Sequence, residues 1–218
     1  MFTECQNPPV WGILLAAGQG TRYQKAHPGE DKLLAPLPNA AKPSTVLAHS
    51  LLALAAQTER TAVIIHPDQK RRYQQLLQIK HSLAQQGHPL TILTDEQCLD
   101  GMGASLASVA RHWLQTAKTA PYGVLVALAD MPWIQPASYQ AVTQALRLHA
   151  IAAPSYRQKR GHPVGFQWAL LPQLATLKGD QGARTLLKNH GCHQIATADP
   201  GVLMDIDHPK DLQQQPER

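Results

Sequence analysis

The stretch ILLAAGQGTR, residues 13–22, ends an apolar run on small residues, two glycines and a cation. Small side chains at Ala16, Ala17, Gly18 and Gly20 let a backbone approach a ligand closely and aim N–H groups at it, which suits phosphate. Arg22 adds a permanent charge on a planar fork matched to phosphate oxygens. Lys32 supplies a second cation beyond the segment YQKAHPGED, ahead of the apolar LLAPL. The pattern is neither a P-loop nor a dinucleotide fingerprint. G-K-[ST] is missing, and Tyr23 and Gln24 stand where a third glycine belongs. Taken alone, the glycine pair reads first as a tight turn.

Acidic residues change that weighing. Asp130 ends the apolar run Val124–Ala129, and a carboxylate leaving a buried strand needs a partner or a cation. It serves either as a cap or, beside a phosphate loop, as a Mg²⁺ ligand, because Mg²⁺ takes one or two carboxylates plus substrate phosphates. Asp205 and Asp207 follow another strand-like run, and a period of two puts both on one face. A helix cap ahead of Lys210 and Asp211 is the alternative for that pair. HGCH, residues 190–193, packs His190, Cys192 and His193 together, but neighbouring side chains seldom converge on one ion, so zinc is not expected. His162 is a candidate substrate contact. Trp133 and Trp168 follow strand ends and serve as core packing or as a platform for a flat heterocycle.

These groups need elements to position them. WGILLAA (11–17), TAVIIH (61–66), LTILT (90–94) and YGVLVALAD (122–130) read as strands. Between them PSTVLAHSLLALAAQ (43–57), DQKRRYQQLLQIKHSLAQQ (68–86), GASLASVARHWLQTA (103–117) and PASYQAVTQALRLH (136–149) carry helical spacing and end signals. Beyond IAAPSY (151–156) the pattern loosens. GHPVGFQW reads as a strand, ALLPQLATL and QGARTLLKNH as short helices, and CHQIATA and GVLMDID as final strands. Fully apolar strands alternating with helices predict an α/β fold, a mostly parallel central sheet with helices on both faces. Ligands then bind beyond the carboxyl ends of the strands, where AAGQGTR, LDGMGAS and LADMP gather.

The chain of 218 residues suits a single domain, and its 44% hydrophobic content is ordinary for a globular protein. No apolar run reaches transmembrane length, and the first residues show no leader pattern. Cys5, Cys98 and Cys192 are far apart, which predicts free thiols and a cytoplasmic location. A formal charge of +5 favours anionic partners. The densest basic cluster, QKRRYQQLLQIK, reads as a solvated helix face, and no nucleic-acid motif accompanies it. Neither nucleic acid nor membrane is an expected partner.

LLAAGQGTR…DKLLAPL, GMGAS, LADMPW, GHPVGF, GDQGARTLL and DIDHPKDL occur in that order, over about residues 11–212. Together they resemble the nucleotidyltransferases of molybdenum-cofactor maturation, most closely the cytidylyltransferase type. The resemblance implies one nucleotidyltransferase domain, residues 1–218, with a nucleotide-diphospho-sugar transferase-like (Rossmann-like) three-layer sandwich. Residues 11–135 would form its nucleotide-binding half and residues 136–212 its acceptor half. It implies transfer of CMP from CTP to the molybdenum-bound pterin, giving the cytosine dinucleotide cofactor and pyrophosphate. Leu15, Ala16, Ala17, Gly18 and Gly20 would form the nucleotide loop. Arg22 and Lys32 would grip the triphosphate and, with Asp130, make up the catalytic set. Gly101, Gly103 and Ser105 would lie near base and ribose. Asp130, with Asp207 or Asp205, would hold Mg²⁺. Gly161, His162, Pro163, Gly179, Asp180 and Arg184 would line the pterin side, with the basic RQKR (157–160) guiding its phosphate. An apo-molybdoenzyme or its chaperone would receive the product.

The chemistry is consistent with this resemblance. The nucleophile would be the acceptor's terminal phosphate, already ionised near neutral pH, so no general base is needed and none of recognised spacing is present. Attack on the α-phosphorus would run in line, with Mg²⁺, Lys32 and Arg22 neutralising charge on the departing pyrophosphate. The alternatives within the class are a GTP-using member and a related nucleotidyltransferase with another phosphorylated acceptor; guanylyl-type members tend to have glycine at the position of Ala17. A non-catalytic escort is the alternative from another class, but an escort would shed Arg22, Lys32 or Asp130 first. Two departures stand out. The segment between Arg22 and Asp31 is longer than usual in the family, so Lys32 must fold back, and His208 and Lys210 replace a threonine and an acid.

Overall fold

The computed structural model describes residues 9–38 and 44–213. In chain order its strands are β1 (Val10–Leu15), β2 (Arg60–Ile65), β3 (Leu90–Thr94), β4 (Gly123–Leu128), β5 (Ile151–Tyr156), β6 (Lys159–Arg160), β7 (Val164–Gln167) and β8 (His193–Ala196). Its helices are α1 (Thr21–Ala26), α2 (Val46–Ala55), α3 (Lys70–Gln85), α4 (Met102–Thr116), α5 (Pro136–Ala145), α6 (Leu171–Leu174) and α7 (Arg184–His190). The sheet runs β3-β2-β1-β4-β7-β5-β6, with β8 on β5. β1 pairs parallel with β2 and β4, β2 parallel with β3, and β5 parallel with β8, while β7 and β6 run antiparallel to their neighbours.

β1 is buried at all six positions, which explains an apolar run with no polar face. Leu14, Val63 and Leu125 pack with Leu47 and Leu51 of α2, Val142 of α5 and Leu146 just beyond it. The intervening Ile13, Ile64, Val124 and Val126 pack with Leu106, Val109 and Trp113 of α4. The alternation therefore feeds two cores, one on each face, and the three-layer α/β sandwich follows. Trp168 meets Trp11 edge-on with ring centroids 5.2 Å apart, and Trp133 is half-buried against the core, so both tryptophans take the packing reading.

Register sets up the functional edge. Leu15 pairs with both Ile64 and Leu128, so the loops after β1 and β4 leave the sheet side by side. Two further bonds, Ala16 N–H to Ile64 O at 3.0 Å and Ala129 N–H to Leu15 O at 3.1 Å, carry the ladder into both loops.

Some expectations need correction. GVLMDID is not a strand. Asp199 accepts from the Gly201 N–H and caps a 3-10 turn over Pro200–Leu203, and residues 204–207 run on outside the sheet. The expected opening of the second helix at Pro43 lies outside the described residues, and Thr45 caps α2 by accepting from the Ala48 N–H. Cys98 and Cys192 are free thiols, while Cys5 lies outside the described residues. Among the described residues no helix is long and apolar enough to cross a membrane.

Candidate active site

A cavity of about 470 Å³ opens at the carboxyl ends of β1 and β4, against the start of α4. Its wall includes Leu15, the loop Ala16–Gly20, Lys32, Gly101, Ser105 and Asp130. That size suits a small ligand such as a nucleotide. Gly20 has a positive φ of 63°, and a Cβ there would lie 3.3 Å from Cγ of Lys32. Glycine is therefore needed both to turn the chain into α1 and to let the lysine stem pass. A Cβ on Gly18 would meet nothing within 4 Å, so that position leaves room for a ligand to touch the backbone.

The long segment after Arg22 does fold back. It forms α1, whose Tyr23 is buried, and returns to Asp31, which caps the next turn by accepting from the Leu33 N–H at 3.0 Å. Lys32 is 7% exposed. Its ammonium donates to Asp130 Oδ2 at 2.7 Å, to the Ile206 carbonyl at 2.8 Å and to Asp207 Oδ1 at 3.5 Å. A cation so enclosed needs anions around it. The Ile206 N–H donates to the Asp130 carbonyl at 2.9 Å, which ties residues 205–207 to the end of β4. Ile206 is buried between its acidic neighbours.

Arg22 is exposed and outside the cavity wall, ion-paired with Asp207. Burial pushes the Asp207 carboxyl up, but the hydrogen bond from Arg22 and the charges of Lys32 and Arg22 outweigh it and hold it below the ordinary value. Asp205 is raised, by burial first and then by the charges of Asp130 and Asp207.

Within QKRRYQQLLQIK, expected to be a solvated helix face, Arg72 is instead buried at 2% exposure. It grips Asp31 with two bonds, Nε to Oδ2 at 2.6 Å and Nη2 to Oδ1 at 2.7 Å. Its Nη1 donates to the carbonyls of Ala16 at 2.5 Å and Gly18 at 2.9 Å. Gln69 adds a bond from Nε2 to the Ala17 carbonyl at 2.9 Å. The signal was available: Arg72, Leu76, Ile79 and Leu83 follow the i, i+4, i+7, i+11 stripe that α3 turns inward.

The LDGMGAS segment borders the cavity through Leu99, Gly101, Met102 and Ser105, and its two glycines also pack against the chain at 178–180. A Cβ on Gly101 would lie 2.6 Å from Asp180 N and Cα, and one on Gly103 would lie 2.7 Å from the Gly179 carbonyl. Gly101 lines the cavity while Gly103 does not, and both admit the backbone of residues 178–180. Ser105 is buried in the wall, donating to the carbonyls of Gly101 and Cys98 at 3.3 and 3.4 Å.

A second cavity of about 190 Å³ is lined by Val126, Arg160, Gly161, His162, Phe166 and Arg184, among others. It shares Leu15, Met102 and Asp180 with the first. Pro163 and Gly179 lie outside its wall. Nδ1 of His162 is buried with no partner among the described residues. Burial lowers the His162 pKa, with Arg160 adding to the effect and the Val126 backbone and Asp130 opposing it. The HGCH residues do not converge: His190 bonds Gln173 at 2.9 Å and His193 stacks on His149 at 3.7 Å.

Among the described residues no three His, Cys, Asp or Glu side chains form a metal cage on their own. The carboxylates of Asp130, Asp205 and Asp207 are hard oxygen donors, the ligand type that Mg²⁺ prefers.

The chain resembles known proteins in sequence and in fold. The chain is 27% identical over 210 residues to the purine catabolism protein PucB of Bacillus subtilis, covering 94% of this chain and 95% of that one. The structure of Rv0371c from Mycobacterium tuberculosis in complex with manganese superposes with a TM-score of 0.67 at 22% identity, covering 94% of this chain and 96% of that one. A nucleotidyl transferase from Methanothermobacter superposes with a TM-score of 0.67 at 18% identity, covering 94% of each chain. The last two likenesses establish the fold. Residues 12–195, from β1 to β8, match the sequence profile of the MobA-like NTP transferase domain, and the chain belongs to that family.

Proposed function

We propose that the protein transfers CMP from CTP to the terminal phosphate of a molybdopterin-type cofactor, releasing pyrophosphate. The reading rests chiefly on the Lys32–Asp130 contact of 2.7 Å in the wall of the same cavity as the glycine loop. In this reading the loop receives the phosphates. Lys32 is held where charge grows on the leaving pyrophosphate. Arg22, exposed beside Asp207, reaches the triphosphate from outside. Asp130 with Asp207 or Asp205 would hold Mg²⁺, which supplies charge neutralisation across the phosphates when bound. The manganese in the Rv0371c structure is an ion of similar oxygen preference.

The smaller cavity suits the acceptor. Val126, Val164 and Phe166 give it an apolar floor for a flat ring system, and Arg160 and Arg184 give it cations for an anionic group. His162, held neutral, offers a hydrogen-bonding edge rather than a charge. The two cavities meet at Leu15, Met102 and Asp180, which brings the acceptor phosphate toward the α-phosphorus. The Ala17 methyl favours CTP over GTP. The product then passes to an apo-molybdoenzyme or its chaperone. The test is transfer of label from the α-phosphate of CTP or GTP to molybdopterin. Label carried over from CTP supports the assignment, preference for GTP overturns the cytidylyl part, and transfer from neither overturns it all.

A further inference from the structure

α3 carries the most basic run of the chain, yet its Arg72 never reaches solvent. Four hydrogen bonds hold the guanidinium, two to Asp31 and two to loop carbonyls. One turn before it, Gln69 accepts from the His66 N–H at 2.9 Å and donates to the carbonyl between those two. The consecutive carbonyls of Ala16, Ala17 and Gly18 are thus all drawn toward α3.

A peptide unit is planar and trans, so a carbonyl and the N–H of the following residue point in opposite directions. Turning three carbonyls toward α3 therefore turns the N–H groups of Ala17, Gly18 and Gln19 away from it. The 470 Å³ cavity has those three residues in its wall and no residue of α3. Successive N–H groups aimed into one concavity make an anion nest. Reversed, the same loop would present carbonyl oxygens to a phosphate and repel it. Arg72 also holds Asp31, whose other task is to cap the turn that begins at Lys32. One guanidinium thus joins the loop to the lysine.

We propose that Arg72, assisted by Gln69, is a positioning residue that pre-forms this cavity as a site for a polyphosphate chain. The inference rests on the reading of the cavity as a nucleoside triphosphate site. It requires a planar fork: a lysine at this position keeps the charge beside Asp31, but its single nitrogen cannot reproduce the four bonds made from the three guanidinium nitrogens.

The test uses inorganic tripolyphosphate as the probe, with calorimetric binding at 15 °C and a melting curve for each variant. Arg72→Met loses both the Asp31 partner and the clamp. Arg72→Lys keeps charge at Asp31, and Gln69→Ala removes one carbonyl bond, together with the bond from the His66 N–H, without stranding a charge. Arg72→Lys should stay folded yet bind tripolyphosphate about tenfold or more weakly, and Gln69→Ala should weaken it by a smaller factor. KM for the triphosphate should rise with Kd while KM for the acceptor stays put. Folded Arg72→Lys binding tripolyphosphate as the natural protein does would overturn the role of Arg72 and leave the transferase reading standing. A natural protein that binds no tripolyphosphate would overturn both. Gln69→Ala decides the matter if the arginine variants do not fold.

Discussion

The Lys32 ammonium sits 2.7 Å from the Asp130 carboxylate although 98 residues separate them, and the Ile206 carbonyl closes the third side at 2.8 Å. The strand-end acid thus pairs with the lysine. Under the proposed function, a divalent ion held by Asp130 would leave Lys32 to the substrate phosphates. Replacing Asp130 with Asn leaves Lys32 its bonds to Ile206 and Asp207, so the fold should survive. Turnover should fall by about 10²-fold or more, since charge compensation at the reacting phosphates is lost. Steady-state rates beside a circular-dichroism melt check this. An unchanged rate would remove Asp130 from the chemistry.

Gly101 joins the two halves of the site. Its φ is 128°, and a Cβ would come within 2.6 Å of the Asp180 backbone. Gly101→Ala should push residues 179–182 out of place, and Asp180 lines both cavities. KM should therefore rise for nucleotide and acceptor together, with a stability cost of about 1–3 kcal/mol for the strained backbone. Initial-rate kinetics with each substrate varied in turn is the check. A change confined to the nucleotide would mean that residues 179–182 do not link the two subsites.

His162 sets a pH dependence. Its folded pKa lies below the ordinary value, so folding favours the neutral ring. That contribution is fully present above about pH 6.5 and is lost as pH falls through the lower folded pKa. Melting temperature should therefore drop on acidification, and His162→Gln should lose part of that slope. Acceptor KM should stay flat between pH 7 and pH 8, because the ring carries no charge there to lose. Identical acid slopes for the two proteins would contradict the burial argument.

Much of this was legible in the residues. Val124–Ala129 has no polar face, and only a strand covered on both sides makes sense of it. Asp130 stood out as the acid that such a strand could not keep unpaired. Lys32 was harder, because nothing in YQKAHPGE says that Tyr23 will be buried and the chain brought back. Arg72 was misread because composition spoke louder than phase: charged neighbours hid its place on the inward stripe with Leu76 and Leu83. For the glycines at 101 and 103 the sequence offers no sign of the second constraint, the backbone of residues 178–180 where a Cβ would lie. Contacts so distant in sequence leave no local pattern.

Pyrophosphate release from CTP, with Mg²⁺ present and molybdopterin either added or withheld, measures the central claim most directly. Release should need the acceptor, be greater with CTP than with GTP, and disappear in Asp130→Asn. No release from any nucleoside triphosphate with the acceptor present would contradict it.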